Sequence, residues 1–337
     1  MTRQSRSLPI SGQSANSILF LLSGEETGIP SAEARALVRM QDSSATFLSP
    51  QKRVLVASTT AEPSSIEARV AYSRRVGPML KNGILGEEDL RLLRTGTYAI
   101  KVFGLERKDD SEGLVSDLAD QVDGRVSLDH PDRELTVVRG ERDYFAVTRP
   151  LLMRQNWVVR RPRARAFFHP SAIFPKFSRL LVNLSGVMPG ETFLDPFCGT
   201  GSLLLEASEV GARPLGIDLH SKMTKGAASN RDKFGQDWLA VIRADSRHIP
   251  LTRVDAIATD IPYGRVSTTS GSNTGAILEN LINEASSILT DGRRLVVMHP
   301  KSVDVGRRDG FVLEEELHLP VHKKLTRTIS VLRRCED

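Results

Sequence analysis

Phe193-Leu194-Asp195-Pro196-Phe197-Cys198-Gly199-Thr200-Gly201-Ser202 is the stretch around which the rest of the chain falls into order. Thr192 to Asp195 reads as a short strand, the two glycines as a turn, and an apolar helix opens at about Ser202. Glycine belongs where the backbone takes unusual dihedrals or must pass close to a ligand. The free N–H groups at the start of the following helix favour an anionic group. Asp195, at the carboxyl end of the strand, can pair with an ammonium. A ligand carrying both an amino and a carboxylate group suits this turn. A plain tight turn is the simpler alternative for a glycine pair after a strand.

Downstream of the turn, strands and helices alternate. Strands are expected over 193–195, 214–218, 239–244, 256–260, 294–298, 311–319 and 329–333. Such alternation predicts a parallel, doubly wound sheet. The last two strands have no helix between them, so they form a hairpin and one runs antiparallel. Ligands of such sheets bind outside the carboxyl ends of the strands. Asp195, Asp218, Asp245 and Asp260 close the first four strands in turn. Any one of them could be a helix N-cap, but four in succession point to a site. An acid at Asp218 is placed for sugar hydroxyls, and Asp245, in Arg243-Ala244-Asp245-Ser246, for an amino group on a ring.

Asp260 opens Thr259-Asp260-Ile261-Pro262-Tyr263-Gly264, which fits the Asp/Asn-(Pro/Ile)-Pro-Tyr pattern of enzymes that methylate planar exocyclic amines. The chemistry accounts for the pattern. An arylamine lone pair is delocalised into its ring and is a poor nucleophile. The Asp260 carboxylate and the Ile261 carbonyl can accept its two N–H groups and draw the nitrogen towards tetrahedral geometry. Pro262 restricts Ile261 to an extended backbone, and Tyr263 can stack on the base. A cytosine-C5 mechanism would want a cysteine nucleophile here, whereas Cys198 lies in the glycine loop. The polar stretch 266–275 reads either as a lid or as a disordered loop.

Upstream, residues 17–23 and 53–57 read as strands, and helices start near Pro30 and Ser64, the second with Ile66, Val70 and Val76 on one face. Lys81-Asn82-Gly83 reads as the turn closing this unit. A second α+β unit follows, with a helix over 87–94, a strand over 97–103, a helix over 111–122 and strands towards 147. Residues 154–165 then carry Arg154, Arg160, Arg161, Arg163 and Arg165 around Trp157 and Pro162. This basic linker reads either as a grip on a phosphate backbone with Trp157 as a stacking face, or as a solvated connector anchored by its tryptophan.

The 337 residues allow two or three domains. A net charge of +5 and a pI near 9.3 favour a polyanionic partner. Two cysteines exclude a disulfide framework and a cysteine-rich zinc site, and fit a reducing, cytoplasmic compartment. No apolar run approaches a membrane span.

Residues 166–334 resemble the archaeal and eukaryotic tRNA guanine-10 N2-methyltransferases, on Phe167-Phe168-His169-Pro170-Ser171 with Lys176, Asp195 to Ser202, Thr259 to Arg265, and His322-Lys323-Lys324-Leu325-Thr326-Arg327. The Val126-Ser127-Leu128-Asp129-His130-Pro131-Asp132 wording resembles the THUMP module of tRNA-modifying proteins; an ordinary α+β domain is the alternative. The resemblance implies a seven-stranded Rossmann-like class I methyltransferase domain over 166–337. Before it come a ferredoxin-like domain (1–83), a THUMP-like RNA-binding domain (84–150) and the basic linker (151–165). It implies S-adenosylmethionine as cofactor and tRNA as partner, without a metal, either as a monomer or with a small activator subunit. Asp195, Phe197, Gly199, Thr200, Gly201, Asp218, Asp245 and Ser246 become cofactor positions. Asp260, Ile261, Pro262 and Tyr263 become the amine-binding set, and Arg154, Trp157, Arg160, Arg161, Arg163, Arg165, Lys323 and Arg327 the RNA contacts. The family usually has proline where this chain has Ile261. The rivals are another tRNA position or ribosomal RNA, a protein-glutamine methyltransferase, and a non-catalytic tRNA-binding subunit.

Overall fold

The structure is a computed structural model that describes residues 16–24, 28–104, 112–150, 153–262, 274–306, 308–322 and 325–335. The chain packs as two compact units. The first takes residues 1–21, 41–63 and 75–150, and the second 22–40, 64–74 and 151–337.

The elements of the N-terminal half are β1 (Asn16–Leu22), α1 (Ile29–Arg39), β2 (Thr46–Gln51), β3 (Val54–Thr59), α2 (Pro63–Glu67) and β4 (Ser73–Pro78). Then come α3 (Glu87–Arg94), β5 (Thr97–Gly104), α4 (Glu112–Val122), β6 (Arg125–Val126), β7 (Arg133–Arg139) and β8 (Tyr144–Thr148). Two four-stranded sheets result, ordered β2-β3-β1-β4 and β6-β5-β7-β8. The expected second helix is short, because Val76 belongs to β4, and β2 is an additional strand. Most residues of β2 are half-exposed or exposed, so no hydrophobic alternation marks it. Within the first unit Leu19, Leu21, Val54, Val138 and Tyr144 share one apolar cluster.

The second unit continues with α5 (Met153–Arg160), α6 (Pro175–Leu184), β9 (Thr192–Asp195), α7 (Ser202–Glu209), β10 (Arg213–Asp218), α8 (Ser221–Phe234), β11 (Ala240–Arg243), β12 (Ala256–Asp260), α9 (Thr274–Ile288), β13 (Arg294–Pro300), β14 (Phe311–His322) and β15 (Leu325–Arg334). Its sheet has the expected seven strands, ordered β11-β10-β9-β12-β13-β15-β14. Strands β9 to β13 are parallel, and β15 runs antiparallel to both β13 and β14. The strand order reverses between β9 and β12, which opens a crevice at their carboxyl ends.

Helix α1 packs on α6 in this unit. Its Glu33 is fully buried and accepts hydrogen bonds from the Ala71 and Tyr72 amides, the latter at 2.7 Å, and from the Asn183 side chain at 2.8 Å. Burial raises the Glu33 carboxyl above the usual range, while these donors pull it back. A buried acid needs such closure. Hence residues 22–40 and 64–74 cluster with the sheet that follows them by more than a hundred residues. Among the described residues no helix is long and apolar enough to cross a membrane.

Candidate active site

The glycine loop is built as its composition requires. Gly199 and Gly201 have φ of 51° and 79°, in the left-handed region that side chains disfavour. A Cβ on Gly201 would also come within 2.7 Å of the Trp238 ring. Gly201 opens α7, and the Gly199 amide donates to Asp218 Oδ2 at 3.0 Å, which ties the loop to the end of β10.

Asn230 and Arg165 brace this loop, a role that the sequence around Arg165 does not suggest. Asn230 of α8, fully buried, accepts from the Phe167 amide and donates to the carbonyls of Phe167 and Thr200. Arg165 donates to Ser202 Oγ at 2.6 Å and Thr200 Oγ1 at 3.4 Å, and to the carbonyls of Arg160 and Ile173. Burial lowers its guanidinium to about 10. An asparagine in mid-helix is a poor helix former, and that is the one signal in the sequence for Asn230.

The basic linker is corrected at three positions. Trp157 is buried in the apolar core. Arg160 pairs with Glu206 at 2.9 Å and Glu209 at 3.0 Å, and Arg179 joins it on Glu206. Arg165 braces the loop. Arg160 is committed to Glu206 and Glu209, Arg165 to hydroxyls and carbonyls, and Trp157 to the core, so they are not free to grip phosphate, and the stretch is partly helical. Arg161 and Arg163 are exposed. The Arg154 side chain, Tyr263 and Lys323 lie outside the described residues, as does most of the polar stretch 266–275.

Asp195, Asp218 and Asp260 close their strands as expected, Asp245 follows β11 by two residues, and all four line one cavity of about 710 Å³, together with Phe197, Gly199, Thr200, Ser246, Ile261 and Pro262. Asp195 is 2% exposed and accepts from the Thr259 hydroxyl at 2.7 Å and the Phe197 amide at 3.2 Å. Burial pushes its carboxyl up to about 7, with Asp260 and Asp218 adding to the rise. Asp260 is likewise pushed up to about 7 by burial, and the Arg327 guanidinium opposes that rise. Solvent reaches 16% of the Asp260 side chain, yet Oδ1 is inaccessible and has no hydrogen-bond partner among the described residues. Its Oδ2 accepts from Arg327 Nη1 at 3.1 Å. Arg327, expected as an RNA contact, is therefore turned into the cavity.

The other two acids are committed differently. Asp218 accepts from the Gly199 and His220 amides. Asp245 is gripped by Arg247, whose side chain lies 2.6 Å away and holds the carboxyl below its usual range. Arg247 is a site residue that no motif in the sequence marks. Ser246 is buried and donates to the Pro196 carbonyl.

Ile261 is fully buried in an apolar cluster with Leu278, Leu281 and Ile282. Its amide donates to the Met298 carbonyl at 3.1 Å. A proline at this position would have no N–H for that bond. Isoleucine thus adds a ladder bond and keeps its own carbonyl.

The UPF0020 model, described as RMKL-like methyltransferase domain, matches residues 162–308. The tRNA (guanine(10)-N2)-dimethyltransferase of Methanothermobacter thermautotrophicus is 29% identical over 94% of this chain and 99% of its own length. That of Methanocaldococcus jannaschii is 31% identical over 71% of each. The chain belongs to the tRNA (guanine(10)-N2)-dimethyltransferase family. The crystal structure of TrmN from Thermus thermophilus matches with a TM-score of 0.50 at 20% identity, over 94% of this chain and 99% of that one. As a member of the family the protein is a methyltransferase.

Proposed function

We propose that the protein transfers a methyl group from S-adenosylmethionine to the exocyclic N2 amine of a guanosine in tRNA, at the position that its relatives' names give, guanosine 10. The observation that carries this reading is Asp260, which lines the cavity and whose Oδ1 is buried without a hydrogen-bond partner among the described residues. A buried acceptor without a donor is costly, and an amine N–H is the donor it lacks.

The cavity volume lies in the range of small-molecule sites. S-adenosylmethionine supplies an electrophilic methyl group. Asp195, the loop amides and the start of α7 fit its amino-acid end, Asp218 its ribose hydroxyls, and Asp245 with Ser246 its adenine. The Asp260 carboxylate and the Ile261 carbonyl hold the two amine N–H groups, Pro262 fixes that carbonyl, and Tyr263 stacks on the base. Holding the nucleophile in line is a large part of such catalysis. Guanine N2 in a paired stem is not free for in-line attack, so the base must turn out into the pocket at an unstacking cost of a few kcal/mol.

Residues 1–83 as a ferredoxin-like part and 84–150 as a THUMP-like part would supply the RNA grip, with the exposed Arg161 and Arg163 as phosphate contacts. Such binding weakens with salt as counterions are released. The basic charge and cysteine content support a cytoplasmic setting. The test is mass spectrometry of nucleosides from tRNA incubated with full-length protein and labelled cofactor. Label in N2-methyl- or N2,N2-dimethylguanosine is expected, and mapping on the tRNA then distinguishes guanosine 10 from another site. Label confined to ribosomal RNA or protein, or none at all, overturns the reading.

A further inference from the structure

The last strand reaches the reacting end of the cavity through the register of the sheet. Strand β15 lies against β13 with Arg327 opposite Pro300, and against β14 with Arg327 opposite Leu319. Ser330, three residues on, is fully buried and shares a 2.9 Å hydrogen bond with His299 Nε2 across the β13 pairing. The strand carrying Arg327 is therefore fixed by a ladder on both sides. From there Nη1 reaches Asp260 Oδ2 at 3.1 Å and Met298 Sδ at 3.8 Å. The Arg327 side chain is 22% exposed.

We propose that Arg327 is a positioning residue of the reaction: by donating to Oδ2 from the final strand it fixes the orientation and the charge state of the Asp260 carboxylate that holds the incoming amine. This rests on the reading of Asp260 as the amine-holding acid.

A carboxylate's terminal torsion is broad and roughly two-fold, so an unheld Asp260 would offer its oxygens in many orientations. Pinning one oxygen orients the other. The guanidinium is suited to the task because it stays charged and its donors are set in a rigid plane. Asp195 on β9 is an acid, and the two carboxyls disfavour each other's ionisation. Ile277 and Asn280 on α9, which line the same cavity, and Met298 on β13, which touches Arg327, are uncharged. Arg327 is the cation that favours the ionised form of Asp260. The ionised form matters, because a protonated carboxyl turns one oxygen from acceptor into donor. One contact thus serves both orientation and charge state.

The experiment compares wild type, Arg327→Met and Arg327→Lys in single-turnover methylation of tRNA across pH 6–9, with tRNA and S-adenosylmethionine both saturating. Cofactor affinity by calorimetry and tRNA affinity across a salt series accompany it. Arg327→Met should lower the rate at pH 7 by about 10²-fold, the scale of one lost preorganised contact. Without the cation the carboxyl ionises less readily, so the acid limb of the rate profile should move to higher pH. Arg327→Lys should recover part of the rate and move the limb back. Cofactor and tRNA affinities should change by less than roughly threefold, with an unchanged salt slope.

A wild-type rate in Arg327→Met, with weaker tRNA binding and a salt slope reduced by about one, would make Arg327 a phosphate contact and overturn the proposal. A rate loss equal at every pH, with lost cofactor affinity and no recovery in Arg327→Lys, would reduce it to a fold-only role and overturn it too. A wild-type enzyme that leaves tRNA unmethylated overturns the functional reading itself. A working wild type with an unaffected Arg327→Met removes only the role of Arg327.

Discussion

Four aspartates lie at or just past the carboxyl ends of four neighbouring strands of one sheet, yet they fall into two chemically different pairs. Asp195 and Asp260 end β9 and β12, the adjacent central strands, and burial pushes both carboxyls up to about 7. Asp218 ends β10 and Asp245 lies two residues past β11, towards the edge, where backbone amides and Arg247 satisfy them. The residue type is the same in each case, and each lies at or just past the carboxyl end of its strand. Depth in the sheet makes the difference, because desolvation grows towards the middle and raises an acid's pKa. Where the strand order reverses, two poorly solvated carboxyls face one cavity. The inner pair is suited to holding charge and protons at the reacting centre, and the outer pair to neutral hydroxyl and amino groups of a bound ligand.

The comparison breaks first at Asp260. Asp260→Ala should lower kcat by about 10²-fold or more, with tRNA and cofactor affinities little changed, because the contact is stronger in the transition state. Asp260→Asn keeps a carbonyl acceptor and should retain part of the rate. Single-turnover assays of both variants decide it, and wild-type turnover in Asp260→Ala would move the amine elsewhere.

The outer pair should fail in binding instead. Asp218→Ala should weaken cofactor affinity by about 1.5–3 kcal/mol, the scale of a hydrogen bond to a charged group. Calorimetry measures it, and an unchanged affinity would remove Asp218 from the site. A fall in kcat at saturating cofactor, with affinity intact, would erase the distinction between the pairs.

Asp195 sharpens the comparison through pH. Its carboxyl rises from an ordinary 3.8 to about 7 in the folded chain, so the native state binds the extra proton between those values. Its contribution to stability is present below pH 3.8 and is lost as pH rises through about 7. Asparagine can still accept from the Thr259 hydroxyl and the Phe197 amide. Cofactor-free Asp195→Asn should therefore melt about 4 °C above wild type at pH 8, the shift that roughly 1–2 kcal/mol brings in a domain of this size. The gap should close towards pH 4. A gap that persists at low pH would mean that charge burial is not its source.

The smallest effect belongs to Arg247. Its pair with Asp245 is largely exposed, and such pairs contribute little. Arg247→Ala should melt with wild type and change cofactor affinity by less than roughly threefold. A larger gain in affinity would show that the arginine competes with the ligand for Asp245.

The residues of the cavity were legible because local pattern dictates them. A strand, a glycine turn and an apolar helix recur at fixed spacing, and an acid at each strand end needs no knowledge of distant neighbours. The same pattern placed the final hairpin and its antiparallel strand. The linker is misleading for the converse reason. Arginines in sequence look solvated, and nothing near Arg160 or Arg165 reveals that Glu206, Glu209, Thr200 and Ser202 lie across from them.

The sequence by itself therefore determined the seven-stranded sheet, the glycine loop and the four strand-end acids, since these follow from periodicity and backbone preference. Tertiary structure alone decided which acids hold protons, which arginines face inward, and that α1 and residues 64–74 complete the C-terminal unit. Removal of residues 1–150 would leave the fully buried Asn183 without Glu33 and the Arg69 carbonyl, so the segment from Arg165 onward is not a unit by itself. Burial and charge pairing depend on which distant residues share a space. That is a property of the assembled chain, and no local spacing encodes it.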